Sequence, residues 1–210
     1  MKVLNLYAGI GGNRKLWTDV EVTAVELNPK IAEIYSHFFP DDKMIIGDAH
    51  HFLLDHYKEF DFIWASPPCP THSDIRRCSV HKGQVKAVYP DMTLYQEIIL
   101  LQHFAKGLYC IENVRPYYKP LIPANHELQR HLFWTNFYIS KIFVEKSDIS
   151  KGTIETHQKR LGISLDSFSG VEKRKVLRNC VTPEIGLHIL EAAKEATNYK
   201  PTNLFEVSND

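Results

Sequence analysis

Five short runs of this sequence are apolar almost throughout: KVLNLY (2–7), EVTAVEL (21–27), KMIIG (43–47), FDFIWAS (60–66) and LYCIENV (108–114). A strand without polar–apolar alternation is buried on both faces, the environment of a parallel sheet covered by helices. Segments with helical spacing stand between these runs. PKIAEIYSHFF (29–39) opens on proline and repeats Ile31, Ile34, Tyr35 and Phe38 on one face. AHHFLLDHY (49–57) and DMTLYQEIILLQHFAKG (91–107) follow the third and fourth strands. A short helix is expected near 13–18, a later strand at HLFWTNFYI (131–139) and a last helix at PEIGLHILEAAKEA (183–196). The alternation predicts an α/β fold built on a mostly parallel, doubly wound sheet. About twenty residues before the 91–107 helix read as a loop. Residues 140–177 are polar and poorly periodic, and read as a small insertion. Three segments are therefore expected: a core at 1–139, the insertion at 140–177, and a segment at 178–210 that completes the core.

Ligands of open parallel sheets bind outside the carboxyl ends of the strands. Gly9, Gly11 and Gly12 sit where the first strand turns, and glycines there let a backbone approach a ligand closely. Their G-x-G-G spacing is not that of a dinucleotide site. Glu26 ends the second strand, where an acid can accept from ribose hydroxyls or charge the start of a helix. Asp48 follows the third strand, where it can face a ligand or cap a helix. Three such features at successive strand ends favour a cofactor that contains a nucleoside. Cys69 follows the fourth strand in SPPCP, and Glu112 ends the fifth in CIENV. A cysteine and an acid at adjacent strand ends can face one substrate. Each is equally open to a structural role, as packing or as a solvated charge.

With 210 residues, 44% of them hydrophobic, the chain can bury one substantial core. Lys+Arg and Asp+Glu balance at 25 each, so global charge points to no partner. The four cysteines form no C-x-x-C pair, and a metal site is not expected. No run reaches the ~18–20 apolar residues of a membrane span. The start MKVLNLYAGIGG does not read as a secretory signal. A cytoplasmic protein with reduced thiols is expected.

In order, the chain carries NLYAGIGG, AVELNP, GDA, SPPCP-THS, IENV, QRHLFW and LRNCVTPEIGLHIL. This series resembles the DNA (cytosine-5) methyltransferases, in particular short phage- or bacterium-encoded members. The resemblance covers nearly the whole chain except 140–177. It implies the Rossmann-like fold of S-adenosylmethionine-dependent methyltransferases, with 140–177 a reduced target-recognition segment. It implies S-adenosylmethionine as cofactor, held by Tyr7, Gly9, Gly11, Gly12, Glu26, Leu27, Asp48, Ala49, Pro68 and Asn179. Glu26 is then the ribose partner and Asp48 the adenine partner.

The resemblance further implies that Cys69 adds to carbon 6 of a flipped cytosine and that carbon 5 takes the methyl group. Glu112 then contacts the ring nitrogen and exocyclic amine, and Arg130 the base. The sequence has Pro70 where the family has glutamine and Tyr7 where it has phenylalanine. His131 stands where a second arginine is usual. The partner implied is double-stranded DNA, contacted by Ser73, Arg76, Arg77 and Lys82, and the protein is expected to be a monomer. Residues 72–86 carry a net charge of +3, as expected of a phosphate-facing segment. Residues 141–175 also carry +3. Three rivals stay open at this level: an amino-methyltransferase of adenine or cytosine, a cytosine-5 enzyme of RNA, and a non-catalytic DNA-binding homologue.

Overall fold

The computed structural model describes residues 1–144 and 152–198. Parts of the expected insertion (145–151) and of the C-terminal segment (199–210) lie outside the described residues. Seven strands form one sheet. They are β1 (Lys2–Leu6), β2 (Glu21–Glu26), β3 (Lys43–Ile46), β4 (Phe62–Ala65), β5 (Leu108–Val114), β6 (His126–Leu128) and β7 (His131–Thr135). Their spatial order is β3-β2-β1-β4-β5-β7-β6. The first five run parallel, β7 is antiparallel to β5, and β6 is antiparallel to β7. This is the mostly parallel α/β sheet that the apolar runs predict.

Alternate residues of each central strand feed different layers. Val3, Phe62 and Trp64 pack with Ile185, Ile189 and Leu190 of helix α7 (Pro183–Asn198). Leu4, Leu6, Ile63 and Ile111 pack on the opposite face, against α2 (Ala49–His56) and α4 (Thr93–Phe104). The helices start where the sequence supplies caps. Asn28 accepts from the backbone of Lys30 and Ile31 ahead of α1 (Pro29–Phe38), which has proline in its first turn. Asp48 accepts from His50 and His51 ahead of α2.

Three expectations about local structure are corrected. Residues 13–18 form turns rather than a helix. Gly11 takes a φ of +79°, and the indole of Trp17 is drawn inward to donate to the Gly186 carbonyl at 2.9 Å. The stretch ahead of α4 holds helix α3 (Asp74–His81), capped by Ser73, none of whose residues is buried. The strand at 131–139 stops at Thr135, where the Asn136 side chain accepts from Tyr109 and donates to the Gly107 carbonyl. It is preceded by β6, joined to it through Gln129 at a φ of +55°. The segment expected as an insertion contains α5 (Ile154–Leu161) and α6 (Lys173–Arg178). Leu161 of α5, Ile163 and Leu165 of the loop after it, and Leu177 of α6 are buried with Ile10 and Ile34 of the amino-terminal part of the chain. The apolar positions there are spread over two short helices and a loop, so no long period announces them.

Candidate active site

A cleft of 650 Å³ opens at the carboxyl ends of the parallel strands. One wall follows the strand ends: Tyr7, Gly9 and Gly12 after β1, Glu26 and Leu27 after β2, Asp48 and Ala49 after β3. Pro68 and Cys69 after β4, Glu112 ending β5, and Arg130 and His131 at the start of β7 continue it. The facing wall comes from the segment expected as an insertion, with Gly170, Val171, Glu172, Lys175 and Val176, followed by Asn179.

At one end, Glu26 ties two turns together. Its Oε2 accepts from the Gly9 backbone at 3.0 Å and its Oε1 from that of Asn28 at 2.9 Å. Gly9 has a φ of +56°, and a Cβ built there meets nothing within 4 Å, so the space above it is open to a ligand. Gly12 also lines the cleft, but its size is dictated by packing: a Cβ would stand 2.5 Å from that of Cys180. Gly11 does not line the cleft; its Cβ would meet the Phe39 ring at 2.2 Å, and its N–H donates to Ala8. Asp48 spends one oxygen on the cap of α2, and the His51 N–H holds its carboxyl below the usual range. Both roles open to Asp48 are thus compatible with one position.

Beneath this end lies a group that no motif marked. The Tyr7 hydroxyl donates to Glu97, and His50 Nδ1 lies 3.0 Å from the same carboxyl oxygen. Glu97 is fully buried, and burial pushes its carboxyl up. A glutamate inside an apolar helix gives no sequence sign of such partners.

At the other end stands Cys69. Burial, then the charge of Glu112, pushes its thiol up to about 11, with Arg130 opposing. The loop that carries it is held at both sides. Asn113 donates from Nδ2 to the Pro67 carbonyl at 2.9 Å. Beyond the cysteine, His72 N bonds the Cys69 carbonyl, Tyr117 N bonds the His72 carbonyl, and His72 Nδ1 meets the Tyr118 hydroxyl at 2.6 Å. Glu112 is buried and hydrogen-bonded to His131 Nδ1. Burial alone would push its carboxyl up, but His131, Ser66 and Arg130 outweigh that and hold it low. Arg130 also donates to the Arg178 carbonyl at the end of α6, at 2.9 Å.

Twelve of the expected site residues therefore share one cleft: Cys69, Glu112, Arg130, Tyr7, Gly9, Gly12, Glu26, Leu27, Asp48, Ala49, Pro68 and Asn179. The expected DNA contacts are on the adjoining α3 region, outside it. Ser73 caps α3, Arg76 donates to the Lys86 carbonyl at 3.0 Å, and Arg77 pairs with Asp74 at 2.9 Å. Lys82 follows the helix in the open. Among the described residues no group of three or more His, Cys, Asp or Glu is placed to hold a metal. None of their helices is long and apolar enough to cross a membrane.

Residues 1–120 match the family model described as C-5 cytosine-specific DNA methylase. No curated protein matches the chain. Among solved structures, a methyltransferase of Entamoeba histolytica is 11% identical, with a TM-score of 0.52 over 94% of this chain and 98% of that one. A mutant DNMT2 of Spodoptera frugiperda is 24% identical, with a TM-score of 0.38 over 54% of this chain and 35% of its own. A SAM-dependent methyltransferase from Agrobacterium tumefaciens is 14% identical, with a TM-score of 0.39 over 56% of this chain and 40% of its own.

Proposed function

Because this chain belongs to the C-5 cytosine-specific DNA methylase family, we propose that it methylates carbon 5 of a cytosine in double-stranded DNA through a covalent bond from Cys69. The observation that carries this reading is the single cleft, which joins Gly9, Glu26 and Asp48 at one end to Cys69, Glu112 and Arg130 at the other. A nucleoside-containing methyl donor and a flipped base fit there side by side.

The residues fit S-adenosylmethionine. The open space over Gly9 and the Glu26 carboxylate beside it suit the methionine and ribose parts, and Asp48, which lines the same cleft, is the adenine partner of this reading. Leu27 and Pro68 supply apolar surface. When bound, S-adenosylmethionine supplies an electrophilic methyl group on a positive sulfur.

Carbon 5 of cytosine is too weak a nucleophile to take that methyl unaided. Addition of the Cys69 sulfur to carbon 6 makes it enamine-like. The cytosine is inside a duplex, so it must be flipped out to reach the thiol. The two-sided hold on the loop, from Asn113 and from Tyr117 and Tyr118, fixes Cys69 relative to Glu112 on β5. Part of the barrier is thereby met by orientation before the substrate arrives. Glu112 and Arg130 face the charge that addition pushes onto the ring. The raised Cys69 thiol is a resting state; the positive sulfur of the methyl donor nearby favours the thiolate.

The test is trapping. DNA containing 5-fluorocytosine should form an adduct with the protein that survives denaturing electrophoresis and needs S-adenosylmethionine, because fluorine at carbon 5 cannot leave as a cation. Cys69→Ser should abolish it, while Cys78→Ser, Cys110→Ser and Cys180→Ser should retain it. Methylation at the wild-type rate by Cys69→Ser, or a product methylated on an exocyclic nitrogen, would overturn the reading.

A further inference from the structure

We propose that Glu112 and His131 act as one proton-holding pair, with His131 a positioning residue that works through the Glu112 carboxyl. The proposal rests on the covalent reading of Cys69 above. His131 stands opposite Val114 on the neighbouring antiparallel strand, and Glu112 opposite Phe133. The two are therefore diagonal neighbours on one face of the sheet. His131 Nδ1 is hydrogen-bonded to Glu112 Oε1, and the side chains are only 5% and 8% exposed. Both line the cleft that holds Cys69.

A buried carboxylate beside a neutral imidazole carries a net negative charge. The same two groups with one more proton are neutral together, and a site of low dielectric favours the neutral pair. The proton can sit on either partner, so it belongs to the pair and not to one residue. Other groups face the carboxyl. Arg130 pulls toward the deprotonated form, with Arg178 as its like-charged neighbour, and Ser66 bonds the same carboxyl. The Cys69 and Cys110 thiols are pushed up by burial, so neither adds a charge near neutral pH.

The pair then has a defined task. The Cys69 thiol first loses its proton to solvent. As the Sγ–C6 bond forms, the C5=C6 electron pair moves to C4–C5 and the C4=N3 pair moves onto N3. N3 takes the proton of the pair through Glu112, and His131 becomes a neutral imidazole. Carbon 5 takes the methyl group with the C4=C5 electron pair as the methyl–sulfur bond of the donor breaks to leave a neutral thioether, and the N3 pair re-forms C4=N3. Carbon 5 then gives its own proton to solvent, the C5–H pair forms C5=C6 as the Sγ–C6 bond breaks and the thiolate is released, and N3 gives its proton back to Glu112. A glutamate alone could accept such a hydrogen bond; with His131 on it, it has a proton to give.

The experiment measures the rate of 5-fluorocytosine adduct formation between about pH 5.5 and 9.5 for the wild type, His131→Gln, Glu112→Gln and the double variant. S-adenosylmethionine binding by calorimetry checks that each is folded, and His131→Asn replaces His131→Gln should the latter fail that check. Wild-type rates should rise with pH as the thiol ionises and fall on an alkaline limb as the pair loses its proton. His131→Gln should be slower by roughly 10- to 100-fold near pH 7, with that limb displaced by about one pH unit or more. The double variant should be no slower than Glu112→Gln, since His131 acts through it. A His131→Gln profile of unchanged shape, merely scaled down, would overturn the pair, and so would a double variant slowed by the product of the two single effects. No adduct from the wild type at any pH would overturn the covalent reading and the pair with it.

Discussion

Glu26 illustrates what one side chain does in this cleft. Its two oxygens each take a backbone N–H, one from the glycine turn after β1 and one from the start of α1. It shapes the turn and presents charge to the cleft with the same carboxylate. Replacing it with alanine leaves two N–H groups without their acceptor and removes the expected ribose partner. Calorimetric binding of S-adenosylmethionine should weaken by about 1–3 kcal/mol in Glu26→Ala. Unchanged affinity would remove Glu26 from the binding set. Gly11 and Gly12 teach the opposite lesson. Their pattern suggests ligand approach, yet Gly11 is fitted against the Phe39 ring and Gly12 against Cys180. The same residue type answers two demands, and only contacts tell them apart.

At the scale of elements, the loop after β4 depends on its neighbour after β5. His72 is fully buried, at the centre of a chain of contacts through Tyr118 to Tyr95, whose hydroxyl also accepts from the Leu121 backbone. Burial holds the His72 imidazole below its ordinary value, with Asp91 opposing. The unfolded chain therefore takes up this proton at a higher pH than the folded one. Stability from this group is complete above the unfolded value of about 6.5 and is lost as pH falls from there through the folded value. Thermal unfolding between about pH 7.5 and 4.5 should show the wild type losing more stability on acidification than His72→Phe, which has no proton to take up. Equal slopes would mean that His72 does not titrate within the fold. The sequence offers THS after the cysteine, with no sign that its histidine faces two tyrosines more than twenty residues further on.

For the whole molecule, the segment expected as an insertion has a second occupation. Its helices α5 and α6 and the loop between them bury leucines and an isoleucine against Ile10 and Ile34, and Gly170, Val171, Glu172, Lys175 and Val176 wall the cleft. Lys30 packs against Gly170, and Phe168 against Phe38 and His37 of α1. The whole segment, 140–177, is only about forty residues long. We propose on that ground a short or degenerate target of about two to four base pairs, since each base read in the major groove needs its own side chains. Bisulfite sequencing of DNA from cells expressing the protein tests this. A strict six-base site methylated by the protein without a partner would contradict it.

The parallel strands were legible because burial on both faces leaves a mark on every residue of a strand, and Pro29 and Asp48 announced helix starts through local chemistry alone. The motifs at successive strand ends were legible for the same reason: a parallel sheet brings all its carboxyl ends to one edge, so order along the chain becomes proximity in space. What the tertiary structure decided is which long-range partner each polar group takes. His131 meets Glu112 because β7 turns back antiparallel beside β5. Glu97 meets Tyr7 and His50, and Arg130 meets the end of α6, for comparable reasons of packing between distant segments. Such pairings are fixed by register and by the close fit of neighbouring elements rather than by any local preference of the residues involved.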